Sequence, residues 1–289
     1  MKIFTVGGSG LVGSLIVELL EGRHEFTDLS LTNGVDITDP SSLDVIRNDT
    51  EHAVVLLLAA KADVDGCELD KPHGEEGAAF KINVGGTKNV VEACRVGNKK
   101  LIYISTDFVF DGEKEPPYVY SEEDKPNPVN WYAMTKYKGE EVVKNSGIPF
   151  IIARIAYPYR QEFDPKKDFV RAIAARLENK QPISAVTDHM MTPTLIDDIA
   201  YALDALIEQN AEGIYHVVGN QTITPYDAAM LIAEICGLDK SLISKTTRAE
   251  YFKGKAPRPF NLSLNNARIK QLGVTMHGFA QGLQKIIKV

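Results

Sequence analysis

The sequence predicts an α/β protein: a Rossmann-type, doubly wound parallel sheet with a smaller, mostly helical C-terminal lobe. Three observations lead to this prediction. Apolar runs of strand length alternate with helical patterns through the first half of the chain, as in parallel strands joined by crossover helices. A glycine-rich turn follows the first of these runs directly. Beyond about residue 157, strand-like runs become scarce and helical patterns dominate.

The first half contains the elements of this sheet in order. The run KIFTV, Lys2–Val6, is predicted to be a strand, and LVGSLIVELLEG after it a helix that ends at Gly22. The run AVVLLLA is apolar on both faces, as a strand between two helical layers must be. Four more elements follow: a helix over AAFKINVGGTKNVVEACRVG, a strand at Lys100–Thr106, a helix containing WYAMTKYKGE and a strand over PFIIARIAY.

The change of pattern predicts a domain boundary near residue 157. We expect a first domain over residues 1–157 and a second lobe over residues 158–289. Helical patterns in the second part include FVRAIAARLEN, LIDDIAYALDALIEQ and PYDAAMLIAEICG. Because GIYHVVG has the pattern of one more strand, parts of about 187–219 are expected to return to the first domain.

Composition and charge exclude several classes of protein. The 289 residues are enough for a large core, and the three separated cysteines fit reduced thiols rather than a disulfide framework or a metal site. A net charge of −7 with interspersed signs disfavours a nucleic-acid surface. The longest apolar run, AVVLLLAA, is too short to span a bilayer, and the first residues do not have the pattern of a signal segment. We therefore expect a soluble, cytoplasmic protein without membrane partners. A homodimer is one option for its assembly.

The glycine turn predicts a nucleotide site. Gly7, Gly10 and Gly13 follow the first strand and open the first helix. Glycines let backbone N–H groups approach a pyrophosphate, and the positive end of the helix faces the same charge. A glycine turn alone is common, but this position between strand and helix favours dinucleotide binding over a purely structural turn. Residues 1–157 are therefore predicted to be the NAD(P)-binding domain, and residues 158–289 mainly the substrate-binding lobe.

The second strand bears on the choice between NAD and NADP. Its end is predicted at residues 30–33, where no carboxylate is available for the adenosine ribose. No arginine is present there to bind a 2′-phosphate, so NADP is favoured only slightly and NAD stays an option. Asp36 in VDITDP is placed where it can meet the adenine; it can also cap a helix start with Thr38 and Asp39, and the two roles do not exclude each other.

Several motifs in order carry a family resemblance. They are the glycine turn, VDITDP, LLAAKADVD, KINVGGTKNV, ISTDFVFDG and WYAMTKYKGE, followed by TPT at residues 192–194 and by RP at residues 258–259. With them the chain resembles the extended short-chain dehydrogenase/reductase superfamily, and within it the dTDP-4-dehydrorhamnose reductase family. The resemblance implies NAD(P)H-dependent reduction of a nucleotide-linked 4-ketosugar.

The resemblance also implies roles for individual residues. The catalytic residues would be Thr106, Tyr132 and Lys136. Tyr132 and Lys136 would also bind the cofactor, together with Gly7, Ser9, Gly10, Leu11, Val12, Gly13, Asp36, Ile37, Ala59, Ala60, Lys61, Asn83 and Ser105. The substrate would contact Val64, Thr106, Asp107, Tyr157 and Arg258.

The spacing of Tyr132 and Lys136 gives this assignment a physical basis. Residues four apart share one face of a helix. A tyrosine has an ordinary pKa of about 10, and a nearby ammonium is expected to lower it toward the range of acid–base catalysis. The alternative is an ordinary helix face. A second Tyr-x-x-x-Lys, Tyr251 and Lys255, contains the poor helix former Gly254 and is interpreted as a chance match.

Two segments depart from the family pattern. The stretch RIAYPYR at residues 154–160 lacks a tryptophan and a glycine of the family, and DHMMTPT has Met191 in place of a glycine. Two alternatives therefore stay open. One is a sugar-nucleotide epimerase on the same scaffold. The other is a cofactor-binding regulatory protein like the β subunit of methionine adenosyltransferase.

Overall fold

Ten strands are present in the computed structural model, which describes residues 1–287. The strands are β1 (Lys2–Val6), β2 (Glu25–Leu29), β3 (Val54–Leu57), β4 (Lys100–Thr106), β5 (Phe150–Ile155), β6 (Pro158–Tyr159), β7 (Ile183–Val186), β8 (Thr194–Leu195), β9 (Gly213–His216) and β10 (Ile243–Thr246). Six of them form the main sheet in the order β2-β1-β3-β4-β5-β9. Every neighbouring pair in this sheet is parallel, which confirms the predicted Rossmann-type fold.

Twelve helices are found in the same residues. They are α1 (Gly13–Leu20), α2 (Asp44–Asn48), α3 (Val64–Asp70), α4 (Ala78–Phe80), α5 (Thr87–Val96), α6 (Trp131–Lys144), α7 (Phe169–Glu178), α8 (Ile196–Glu208), α9 (Pro225–Ile235), α10 (Arg248–Tyr251), α11 (Ala267–Lys270) and α12 (Phe279–Ile286). Between residues 1 and 287, none of these helices has both the length and the apolar character needed to cross a bilayer.

The main sheet is covered on both faces, and neighbouring residues of β1 show why. Ile3 points into a cluster with Ile16 of α1 and Leu203 of α8. Phe4 points to the opposite face, into a cluster built by α2, α5 and α6. Alternating side chains of each strand therefore enter two separate cores, which explains why the strands are apolar on both faces.

The second lobe is built mainly from helices and two short pairs of strands. Helices α7, α9 and α12 pack round a cluster that includes Val170, Ile232 and Phe279. Strands β7 and β10 form one parallel pair beside these helices, and β6 and β8 form another. Strand β9 lies in the main sheet, where it pairs with β5.

Two local predictions need correction. Strand β2 ends at Leu29, and residues 31–33 form a short 3₁₀ turn instead of the predicted strand end. Asp28 therefore stands one residue before the strand end, so the expectation that no acid lies there is wrong. The predicted helix after β3 is interrupted, because Lys81–Gly86 forms a π-helical segment between α4 and α5.

Candidate active site

The carboxyl end of the sheet opens into a cavity of about 940 Å³. The glycine turn after β1, the end of β4 and the start of α6 meet there, as expected for the carboxyl ends of parallel strands. Most of the predicted site residues line this cavity: Gly7, Ser9, Gly10, Leu11, Val12, Gly13, Ala60, Val64, Ser105, Thr106, Asp107, Tyr132, Lys136, Tyr157 and Arg258.

The glycine turn is held in place by the protein itself. Gly7 has a φ of +83°, and a Cβ there would lie 2.9 Å from the backbone nitrogen of Ala59. A carboxylate oxygen of Asp28 accepts a hydrogen bond from the Gly8 N–H at 2.8 Å. In contrast, a Cβ on Gly10 would meet only the Gly7 carbonyl oxygen, at an ordinary 3.5 Å. The fold therefore leaves open space at Gly10, as close approach of a dinucleotide requires.

Thr106 and Asp107 end β4 inside the cavity. The Thr106 hydroxyl donates to one carboxylate oxygen of Asp107 at 2.9 Å and accepts from the Phe108 N–H at 3.2 Å. The other carboxylate oxygen of Asp107 and the Ser105 hydroxyl are buried without a hydrogen-bond partner in residues 1–287. Burial raises the pKa of Asp107 from 3.8 to about 7. The hydrogen-bonding capacity of two polar atoms at this strand end is thus unused by the described residues.

Helix α6 positions Tyr132 and Lys136. The Asn130 side chain caps the helix by accepting from the Ala133 N–H at 2.9 Å. The Lys136 ammonium nitrogen donates to the Ile104 carbonyl at 2.8 Å and lies 4.0 Å from the centroid of the Tyr103 ring. Burial lowers the pKa of Lys136 to about 7.

A buried ion pair fixes the other end of this helix face. Arg154 of β5 donates to both carboxylate oxygens of Glu140, at 2.8 and 2.7 Å. Glu140 follows Lys136 by one helical turn, and its charge partly opposes the lowering of the lysine pKa. The helix is therefore anchored to the sheet along the line of its functional side chains.

The expected effect of Lys136 on Tyr132 is wrong for the protein without ligands. Desolvation raises the pKa of Tyr132 above its ordinary value of 10, and the nearby Asp107 charge adds to this. Lys136 does not counteract the shift, because its ammonium points to the Ile104 carbonyl and the Tyr103 ring. Tyr132 therefore keeps its proton at neutral pH.

Also in the cavity lining, Tyr157 meets a histidine that the sequence did not single out. The Tyr157 hydroxyl oxygen lies 2.7 Å from Nε2 of His189, and Nδ1 of His189 lies 2.7 Å from the Pro259 carbonyl. Arg258 is held by Asp65, with 2.8 Å between the guanidinium and the carboxylate. The contact between Tyr157 and His189 joins the two segments that depart from the family pattern.

Five predicted cofactor residues do not line the cavity: Asp36, Ile37, Ala59, Lys61 and Asn83. Asn83 is buried, and its amide bonds the N–H and carbonyl of Lys61 at 2.8 and 3.0 Å and the Thr135 hydroxyl at 2.9 Å. These bonds use the polar atoms of Asn83 within the protein, so it supports the backbone after β3 instead of reaching the cavity.

Arg160 is a further residue that the sequence did not predict. It occupies the position of the missing family glycine and donates to the Ser14 hydroxyl of α1 at 2.8 Å. In the sequence, the sign of this contact is the long basic side chain at a position where the family has a glycine. The second Tyr-x-x-x-Lys pair does not share a helix face, because α10 ends at Tyr251 and Lys255 stacks over its ring at 5.1 Å.

A glycine turn, a parallel sheet and a Thr, Tyr and Lys set in one cavity define the class of this protein as a short-chain dehydrogenase/reductase, a Rossmann-fold oxidoreductase. The family follows from comparison with known proteins. The model of the family described as RmlD substrate binding domain matches residues 1–289, so the chain belongs to this family.

Individual relatives agree with this membership. The chain is 30% identical over 281 residues to the dTDP-4-dehydrorhamnose reductase of Mycobacterium tuberculosis, covering 95% of this chain and 88% of that protein. It is 29% identical over 287 residues to the methionine adenosyltransferase 2 subunit beta of Mus musculus, covering 94% and 83%. The crystal structure of dTDP-4-dehydrorhamnose reductase from Bacillus anthracis in complex with NADP superposes with a TM-score of 0.89 at 25% identity, covering 99% and 98%.

Proposed function

We propose that the protein is an NADPH-dependent reductase of a nucleotide-linked 4-ketosugar of the dTDP-4-dehydrorhamnose type. The observation that carries this proposal is the convergence of Thr106, Tyr132 and Lys136 on the cavity that the glycine turn lines. The names of the Mycobacterium tuberculosis and Bacillus anthracis relatives support the substrate class and the cofactor.

The cavity fits a nicotinamide dinucleotide at its glycine end. Gly7, Gly10 and Gly13 would hold the pyrophosphate, since Gly10 has room for close approach. Lys136 would bind the nicotinamide ribose: an ammonium has three N–H donors, and within residues 1–287 it makes one hydrogen bond, to the Ile104 carbonyl. When bound, the reduced cofactor supplies the hydride for the ketone carbon.

The remaining chemistry belongs to side chains of this chain. Tyr132 would hydrogen-bond the ketone oxygen and donate its proton as negative charge develops there. Thr106 would join it when its single hydroxyl proton turns from Asp107 to the ligand. The raised pKa of Tyr132 suits this direction of transfer, because the phenol is protonated at neutral pH. An alkoxide is a stronger base than a phenolate, so the proton still moves toward the substrate.

The other end of the cavity would bind the nucleotide sugar. Val64, Asp107 and Tyr157 line it near the Thr106 hydroxyl and would contact the sugar. Arg258 is held by Asp65 and retains N–H groups for the diphosphate. In this proposal residues 1–157 bind the cofactor and residues 158–289 mainly bind the substrate.

The experiment is a reductase assay with purified protein, dTDP-4-dehydrorhamnose and NADPH, followed by the fall in NADPH absorbance. Turnover that depends on both ligands supports the proposal. Binding of cofactor without turnover of this or related dTDP- and UDP-4-ketosugars would instead favour a regulatory role, as the murine relative suggests. Interconversion of sugar epimers without net NADPH oxidation would favour an epimerase.

A further inference from the structure

Tyr157 and His189 form a polar pair within the cavity lining. Both residues lie in the segments that differ from the family pattern, RIAYPYR and DHMMTPT. His189 is only 2% exposed, and Tyr157 has a φ of +40°, a conformation that a non-glycine residue rarely adopts. Strain of this kind persists only where the surroundings impose it, and it concentrates at functional sites.

The contacts of His189 determine its tautomer. The Pro259 carbonyl, 2.7 Å from Nδ1, can only accept a hydrogen bond, so Nδ1 must carry a proton. Burial, together with the charges of Arg248 and Arg258 and against the hydrogen bond to Pro259, lowers the pKa of His189 to about 4, so the ring is neutral at pH 7. A neutral imidazole has one proton, which leaves Nε2 without one.

The tautomer in turn determines the direction of the hydrogen bond to Tyr157. Nε2 can only accept at 2.7 Å, so the Tyr157 hydroxyl must donate its single proton to His189. Burial and the nearby Asp107 charge raise the pKa of Tyr157, which keeps this proton in place at neutral pH. Toward the cavity, Tyr157 can therefore present only oxygen lone pairs.

We propose that Tyr157, oriented by His189, is a specificity-determining acceptor in the sugar subsite and selects ligands that present a hydroxyl group to it. This inference rests on the proposed function, since it assigns the sugar to this end of the cavity. His189 is a positioning residue, because it acts through the Tyr157 hydroxyl. The two phenols then have opposite roles: Tyr132 donates a hydrogen bond to the ligand, and Tyr157 accepts one.

The opposite hydrogen-bonding roles of Tyr132 and Tyr157 also set the orientation of the sugar in the cavity. A ketone oxygen has no proton, so it gains nothing from Tyr157 and is repelled by its lone pairs. The carbonyl is therefore directed to the Tyr132 hydroxyl, while a sugar hydroxyl satisfies Tyr157. A site that accepts from a substrate hydroxyl discriminates against analogues that lack one, because the lone pair that faces the ligand is then left without a donor.

Calorimetric binding tests the pair without depending on turnover. The measured quantity is the ratio of the dissociation constant of dTDP to that of dTDP-rhamnose, the alcohol produced by the proposed reduction, with NADP present. Tyr157→Phe should lower this ratio by about tenfold, the value of one net hydrogen bond, and leave the affinity for dTDP unchanged. In the wild type, replacing the selected sugar hydroxyl with fluorine should produce a similar loss, and Tyr157→Phe should remove that discrimination.

Variants of His189 separate positioning from a general structural role. His189→Gln offers an acceptor and a donor on one amide, so it should keep most of the wild-type ratio, whereas His189→Leu should lose it. In a double-mutant cycle, His189→Leu should change the ratio little once Tyr157 is Phe. The inference is overturned if the two substitutions lower the ratio additively in the double mutant, or if Tyr157→Phe leaves the ratio unchanged. Either result leaves the proposed function intact. A wild type that binds neither ligand overturns both.

Discussion

Replacing Asp107 with asparagine should stabilise the protein at alkaline pH. Asp107 is 2% exposed, and burial raises its pKa from an ordinary 3.8 to about 7. Between these two values the folded protein binds the proton more tightly than the unfolded chain does, so the free energy of unfolding falls as pH rises. Each pH unit corresponds to about 1.4 kcal/mol, which gives a cost of about 4 kcal/mol once the carboxylate is ionised in the fold.

Asparagine keeps the shape of the protonated acid but does not titrate. Its carbonyl oxygen can still accept from the Thr106 hydroxyl, as the Asp107 oxygen does at 2.9 Å. The free energy of unfolding of Asp107→Asn minus that of the wild type should therefore increase by about 2–3 kcal/mol as the pH rises from about 5 to 8.5. Because Lys136 has a lowered pKa of about 7, its contribution rises with pH in both proteins. Only the difference between the two proteins isolates Asp107.

The assay is urea unfolding at several pH values, followed by the fluorescence of Trp131, the single tryptophan. Glu115→Gln, a neutralised carboxylate on an exposed side chain, is the matched control and should follow the wild type across the range. Stability curves of wild type and Asp107→Asn that stay parallel from pH 5 to pH 8.5 would refute the reasoning. The carboxylate would then be solvated or paired in a way that the structure does not show.

Three further predictions concern the cofactor and the chemical step. Tyr132→Phe should leave NADPH affinity nearly unchanged and reduce turnover by about 10²–10⁴-fold. The control Tyr137→Phe, on the same helix, should keep wild-type turnover. Full turnover in Tyr132→Phe would contradict the mechanism. Gly10→Ala should keep the wild-type Tm, because a Cβ has room there, and weaken NADPH binding in a fluorescence titration; undiminished binding would place the pyrophosphate elsewhere. NADPH should bind more tightly than NADH, because Asp28 at the end of β2 already accepts hydrogen bonds from Thr5, Gly8 and Asn33 within the protein. The reverse order, abolished by Asp28→Asn, would assign the Asp28 carboxylate to the adenosine ribose.

The main sheet was predictable because its signals are local. Strands Lys2–Val6 and Lys100–Thr106 have the predicted bounds, since continuous apolar runs between turn residues specify buried strands. The end of β2 was not predictable in the same way. After Leu29 the residues Ser30–Gly34 are polar or glycine except for Leu31, and the chain turns there with Gly34 at a φ of +79°. That turn moves Asp28 to the strand end, where it bonds the Gly8 N–H.

The environment of the candidate site depends on tertiary packing that spacing does not encode. The spacing of Tyr132 and Lys136 correctly predicts a shared helix and a shared cavity. It does not predict that the ammonium bonds the Ile104 carbonyl, because β4 is distant in sequence and supplies that acceptor. Desolvation then raises the tyrosine pKa, although a helix considered alone predicts a decrease.

Two residues of RIAYPYR that differ from the family pattern, Tyr157 and Arg160, make contacts with distant segments. Where the family tryptophan is absent, Tyr157 bonds His189 from the other departing segment. Where the family glycine is absent, Arg160 bonds Ser14 at the start of α1. Each new contact joins segments far apart in sequence, so neither change can be judged from its own motif. Tyr157 lines the cavity and Arg160 contacts Ser14 of α1, so under the proposed function these changes bear on which sugar is bound more directly than on whether Tyr132 can donate a proton.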